Sequence, residues 1–159
     1  MATLGDVMAY LCEHYPHKHE LSKARLAKLI YLADWKSAIE RGEQITDTDW
    51  FYNYYGPYVE EVAEEARNDP AFQVRGTHNL YGDAKEIIEL VRPRKYPSLT
   101  EEDKRILDAI IASTEGKNWN EFIRLVYSTY PIITQDRFSE LNLVELARRY
   151  AEDQASSRA

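Results

Sequence analysis

The chain has 159 residues, 44% hydrophobic and 30% charged, with 12 tyrosines, 3 tryptophans, 4 phenylalanines and a formal net charge of −7. That composition excludes a disordered chain and supports one domain able to bury roughly 70% of its unfolded surface. The negative field opposes non-specific contact with a phosphate backbone and favours encounter with basic proteins, and the lone Cys12 excludes an intrachain disulfide.

The first helix is expected over Thr3–Tyr15, with Leu4, Val7, Met8 and Leu11 on one face, Cys12 a buried thiol and Pro16 as the stop. Ser22 is a good N-cap for a second helix that runs to Arg41, with Gly42 in the C′ position. That helix carries two apolar stripes, Leu26, Leu29, Ile30 and Ala33 against Tyr31, Leu32, Trp35 and Ile39. A surface helix needs one stripe, so two predict a central helix packed between layers.

Trp50–Tyr55 is aromatic and reads as extended, Gly56 ends it, and Pro57 suits the first turn of a helix to about Asn68 with Val59, Val62 and Ala63 inward. A small β-hairpin is expected from Ala71–Val74 and Glu86–Arg92, with a long tip holding Gly76 and Gly82. The proline-flanked stretch 93–97 is a stiff connector and a candidate seam. Thr100 caps the next helix, Asp103 takes the capping-box position, and Ile106, Leu107, Ile110 and Ile111 face inward. A further helix spans about Trp119–Thr129 with Pro131 as its stop, and a last one about Leu141–Ala151 with Val144, Leu146, Ala147 and Tyr150 inward. The sum is a mainly α fold, a compact multi-helix domain over 1–152 with a small β-hairpin, and a tail over 153–159 that should fray. No apolar run approaches a membrane span and no signal peptide is read, which makes a reducing cytoplasm the default setting.

No residue pattern spells out a catalytic site. A Gly-rich phosphate loop and a nucleophile elbow are both missing. His14, His17 and His19 cluster in six residues, but a structural zinc site wants a closed set, usually with thiolates, so a solvated loop is the reading and no metal or cofactor is expected. Lys23, Arg25 and Lys28, with Arg92, Arg94 and Lys95, make small basic patches without a nucleic-acid-binding motif, so direct nucleic-acid binding is disfavoured. Glu60, Glu61, Glu64 and Glu65 form the densest acidic feature, a solvated helix face or a docking face for a basic partner. The aromatic run cannot all point into one core if it is extended, because side chains alternate. Tyrosine and tryptophan also dominate interface hot spots. Trp50, Tyr52, Tyr54, Tyr55, Tyr58, Glu60, Glu61 and Glu64 are therefore the candidate partner-binding set.

From Lys28-Leu29-Ile30-Tyr31-Leu32-Ala33-Asp34 through Gly42, Ile45-Thr46 and Trp50 to Tyr55-Gly56-Pro57, the chain resembles the Panacea domain of SocA-like antitoxins. Tyr31, Asp34, Gly42, Gly56 and Pro57 are the structural positions of that pattern. Beyond Val62 the match is looser, and Tyr127-Ser128-Thr129-Tyr130-Pro131 stands where the family typically has a histidine-bearing turn. The resemblance implies an antitoxin without enzymatic activity that neutralises a cognate toxin protein by direct binding. Members are paired with chemically unrelated toxins, and some act as adaptors that deliver the toxin to a protease. An enzyme without a recognisable motif and a nucleic-acid-binding regulator are the competing classes. Turnover by the isolated protein would mark the first, and salt-dependent binding to duplex DNA the second.

Overall fold

A computed structural model describes residues 1–158. It is mainly helical, with α1 at Leu4–His14, α2 at Lys23–Arg41, α3 at Glu61–Asn68, α4 at Glu101–Thr114, α5 at Trp119–Tyr127, α6 at Tyr130–Thr134 and α7 at Leu143–Arg158. The strands are β1 Trp50–Asn53, β2 Gly56–Tyr58, β3 Phe72–His78, β4 Ala84–Leu90 and β5 Glu140–Leu141. They form two antiparallel sheets, one ordered β2-β1-β5 and one of β3 and β4.

α2 is the axle. Both of its stripes are buried from Leu26 to Trp35; only Ile39, near the end, lies 44% exposed. α1, α3, α4, α7, β2 and β4 all pack on it. Its ends are set as the sequence reads. Ser22 accepts a hydrogen bond from the Arg25 amide, and Gly42 closes the helix at φ +73°, a conformation glycine adopts without a Cβ penalty. At the other layer, Thr100 and Asp103 form a reciprocal capping box that starts α4. Buried Arg25 ties the two helices together: its Nη2 donates to the carbonyl of Thr114 at the end of α4, to that of Lys117 in the following loop, and to the Tyr15 hydroxyl. Its guanidinium lies 4.4 Å from the Phe122 ring centroid.

The connector 93–97 is stapled to the body. Arg94 donates to Asp6 on α1 and to Asp69 after α3, each at 2.7 Å, and the Ser98 amide donates to Asp6 at 2.8 Å. Burial works against ionised Asp6, but Ser98 and Arg94 outweigh it and hold the carboxyl below the usual range.

Six expectations are corrected. Pro57 does not begin a helix. Gly56–Tyr58 pairs antiparallel with β1, Tyr52 opposite Pro57, and α3 starts only at Glu61. The proline is tolerated because β2 is an edge strand and its missing N–H is not needed by a further neighbour. The β3–β4 strands are seven residues each, and the tip is confined to 79–83. Pro131 opens the short α6 rather than stopping α5. Leu141 belongs to β5, α7 begins at Leu143, Val144 is 43% exposed, and the helix continues through the residues expected to fray, as far as Arg158.

Candidate functional site

The motif residues form a buried clamp. Asp34, fully buried on α2, accepts four hydrogen bonds: Oδ1 from the amides of Ile45 and Thr46 at 2.9 and 3.0 Å, Oδ2 from the Thr46 hydroxyl at 2.6 Å and Trp50 Nε1 at 2.9 Å. One carboxylate thus fixes the link after α2 and the first residue of β1. Burial pushes Asp34 up to about 6 despite the four donors. Tyr31, one turn before, crosses the Trp50 ring edge-on at 5.7 Å, and its hydroxyl shares a hydrogen bond with Thr129 at 2.8 Å. The segment that replaces the histidine-bearing turn therefore plugs onto the motif helix. Tyr127 also stands against Gly56, where an added Cβ would meet its Cε1 at 2.9 Å.

This clamp decides which aromatics are core. Trp50 is 1% exposed and Tyr52 8%, so neither is available to a partner, and their assignment to the partner-binding set is corrected. The reason is alternation: β1 turns positions 50 and 52 inward, where Asp34 requires the indole N–H. Tyr54 and Tyr55 form the two-residue turn between β1 and β2 and are 62% and 75% exposed. Gly56, at φ +103°, takes the positive backbone angle, and both tyrosines keep negative φ.

A further aromatic joins them. Phe138 is 58% exposed, its ring centroid is 6.1 Å from that of Tyr54, and Tyr54 and Tyr55 are 5.1 Å apart. Phe138 sits at φ +68°, the only non-glycine residue with positive φ among the described residues. That conformation is uncommon for a bulky side chain and is held here because the Phe138 amide donates to Tyr52 O just before β5 pairs with β1. No local signal in the sequence links position 138 to position 54.

Tyr58 is half-buried, and its hydroxyl donates to Glu60 at 3.0 Å. Burial, then the Glu60 carboxylate, push it up to about 12. Glu60, Glu61 and Glu64 are all exposed, Glu60 as the residue before α3 and the other two on its first turn. Tyr55, Tyr58 and Glu60 line one pocket, so the structure brings the aromatic tip and the acidic helix start together.

The other candidates separate. The His14 ring stacks on Tyr10 at 4.1 Å, while His17 and His19 are exposed, and among the described residues no group of three or more His, Cys, Asp or Glu could hold a metal ion. Of the two basic patches, Arg25 and Lys28 are buried and Arg94 is paired with Asp6 and Asp69. Among the described residues no helix is long and apolar enough to cross a membrane.

Fold and site describe a mainly helical domain whose buried motif presents a short aromatic turn beside an acidic helix. The family model for the SocA-like antitoxin, Panacea domain, matches residues 26–131, from the end of the first turn of α2 to the start of α6. The match covers more than half of the chain, and the chain belongs to this family. No curated protein and no solved structure matches the chain.

Proposed function

We propose that this protein is an antitoxin that neutralises a toxin protein by binding it directly, through the face formed by Tyr54, Tyr55, Tyr58, Phe138 and the acidic start of α3. The reading takes it to act without catalysis, metal or cofactor, in the cytoplasm. Delivery of the bound toxin to a protease is a further step open to the same complex. Family membership supports the role. The single observation that supports the surface is the solvent-exposed trio of Tyr54 and Tyr55, at the end of a hairpin rooted in the core, with Phe138 beside them. Rigid aromatics of this kind supply desolvated contact at little entropic cost, and clustered carboxylates steer a basic partner.

The test is co-expression with the product of the neighbouring open reading frame. Expected is a toxic product, rescue by this chain, and a stable complex in gel filtration. Rescue with no complex rejects direct binding. A complex that survives Tyr54→Ala with Tyr55→Ala in folded protein moves the interface elsewhere, first to the exposed Leu80, Tyr81 and Trp119 around the β3–β4 tip.

A further inference from the structure

We infer that the pocket over Lys28 is a receptor for a single carboxylate carried by the partner protein, an assignment that rests on the direct-binding reading above. The pocket measures about 310 Å³ and lies where α2, the β1–β2 hairpin and the start of α3 meet. α2 contributes Lys23 and Lys28; Asn53, Tyr55, Tyr58 and Glu60 come from the other side of the junction.

Lys28 is the unusual member. It is 2% exposed. Its stem runs beside Gly56, whose missing Cβ would lie 3.6 Å from Lys28 Cε, and its Nζ is 5.9 Å from the Tyr58 ring centroid. Among the described residues this ammonium has no hydrogen-bond acceptor and no carboxylate within 4.0 Å. The other charges on the walls are already engaged. Lys23 pairs with Glu86 at 3.3 Å, and Glu60 accepts from the Tyr58 hydroxyl at 3.0 Å and lies 3.5 Å from Arg67. Desolvation alone pushes the Lys28 amine down to about 8, the mark of a cation that lacks a counter-ion.

Beyond the Tyr58 ring face, stability gives little reason for a lysine here. A methionine would fill the stem's volume without the charge, and an unpaired buried charge weakens a fold. The site lies within the proposed docking face, and Tyr55 and Asn53, both exposed, form its rim. The ligand class follows from charge. One free ammonium matches a monoanion, whereas a phosphate dianion would meet the Glu60 carboxylate with only one cation to answer it. The acidic surround and the buried cation together select a basic partner face with one carboxylate seated in it. A partner lacking that carboxylate would leave Lys28 covered and unpaired, which is how a buried charge discriminates.

The experiment follows the Cε resonances of the full chain carrying ¹³C-labelled lysine, with Lys28 assigned by its loss in Lys28→Met. Two model compounds are titrated: N-acetylglutamate α-amide, with a side-chain carboxylate, and N-acetylglutamine, with a main-chain one. Expected is a saturable shift of the Lys28 signal at millimolar concentration and a rise in its titration midpoint. The compound that saturates first identifies the source of the carboxylate. Inorganic phosphate at equal ionic strength should give no saturable shift. Phosphate binding more tightly than both carboxylates, or no saturation by either of them, overturns the assignment. In urea, Lys28→Met should be at least as stable as the parent, while its affinity for the neighbouring gene's product falls at least tenfold. Undiminished affinity in the folded variant overturns the partner's use of the pocket. If Lys28→Met does not fold, Lys28→Arg supplies the assignment and the titration on the parent chain decides. The titration involves no toxin, so its failure removes the pocket and leaves the antitoxin reading standing. Absence of a complex with the parent chain removes the direct-binding reading and the partner as the source of the carboxylate, while a saturable titration still establishes the pocket as a carboxylate site.

Discussion

The two hairpins of this molecule solve opposite problems. β1–β2 is short, and its root is buried: Trp50 and Tyr52 are core, Trp50 locked by Asp34, while Tyr54 and Tyr55 at the turn stand in water. β3–β4 has strands twice as long in sum and is anchored on both faces, with Phe72, Ile87 and Ile88 buried, the Ile88 amide donating to Leu21 O, and Leu80 and Tyr81 almost wholly exposed at its tip. Its tip is closed by Asn79, which accepts from the amides of Tyr81 and Asp83, a local turn with no tie to the core. Both hairpins are rooted in the core, but the first shows its aromatics two residues beyond buried Tyr52, whereas the second shows them beyond strand ends, 76–78 and 84–86, that are themselves exposed or half-buried. Binding to a preorganised surface costs less ordering entropy, which is the reason to place the partner at the first hairpin rather than the second.

The largest expected effect breaks the root. Asp34→Ala strands the Trp50 indole and two amides and leaves the Thr46 hydroxyl only Thr48, and should cost at least about 3 kcal/mol, at roughly 1–3 kcal/mol for each buried group left unpaired. Urea denaturation followed by circular dichroism measures it; a loss under about 1 kcal/mol would mean that the clamp does not organise the hairpin. Gly56→Ala should cost roughly 1–3 kcal/mol, because it forces a side chain onto φ +103° and against Tyr127. Gly82→Ala, at φ +83° but with open space around it, should cost less, about 1 kcal/mol. Equal losses at the two glycines would remove the contrast between a packed and a free turn.

The next effect is on binding rather than on folding. Tyr54→Ala or Tyr55→Ala should weaken the complex by about 1–3 kcal/mol and change stability by less than about 0.5 kcal/mol. Leu80→Ala with Tyr81→Ala should leave both unchanged; calorimetry on the two pairs sharpens or reverses the assignment. Glu60→Lys with Glu64→Lys should act mainly on association, slowing it roughly tenfold at low salt, and the difference should shrink as salt is raised in stopped-flow measurements.

The smallest effect is in pH. Asp34 has its folded-state value raised from 3.8 to about 6, so the folded chain holds that proton more tightly than the unfolded one. Its contribution is full below about pH 4 and is lost as pH rises through about 6. Asp6 and Asp69 are held below the usual range, Asp6 against its own burial and Asp69 chiefly by Arg94. Their contribution is present above about pH 4 and is lost as pH falls through their folded values. Urea midpoints should therefore rise from pH 7 to about pH 4 and fall below it, and Asp34→Asn should flatten the upper limb.

What the sequence made legible was local. Ser22, Gly42, Thr100 and Asp103 act within four residues of themselves, and each stands in the structure where its chemistry puts it. The two stripes of α2 announce its burial because a 3.6-residue period shows both sides at once. The β1–β2 hairpin was missed because Gly-Pro serves equally well before a helix and in an edge strand. Which side of β1 is core could not be read from alternation, which gives two faces and no inside. The choice is made by Asp34, sixteen residues earlier. Phe138 and the pocket at Lys28 were invisible for the same reason on a longer scale. The first depends on β5 pairing with β1, and the second on β2 folding back over α2.

The turn at Tyr54 and Tyr55 has a consequence for how such a domain diversifies. Its two side chains touch little of the core, and the neighbouring glycine carries the backbone strain in their place. Residues there are exchangeable at almost no cost to folding, while Trp50 at the root beneath them is tied to Asp34. With the partner docked there as proposed, a domain built this way would change target by drift at two adjacent codons without renegotiating its architecture. A library randomised at those codons, selected for rescue from unrelated toxins, would draw new specificities from one unaltered fold.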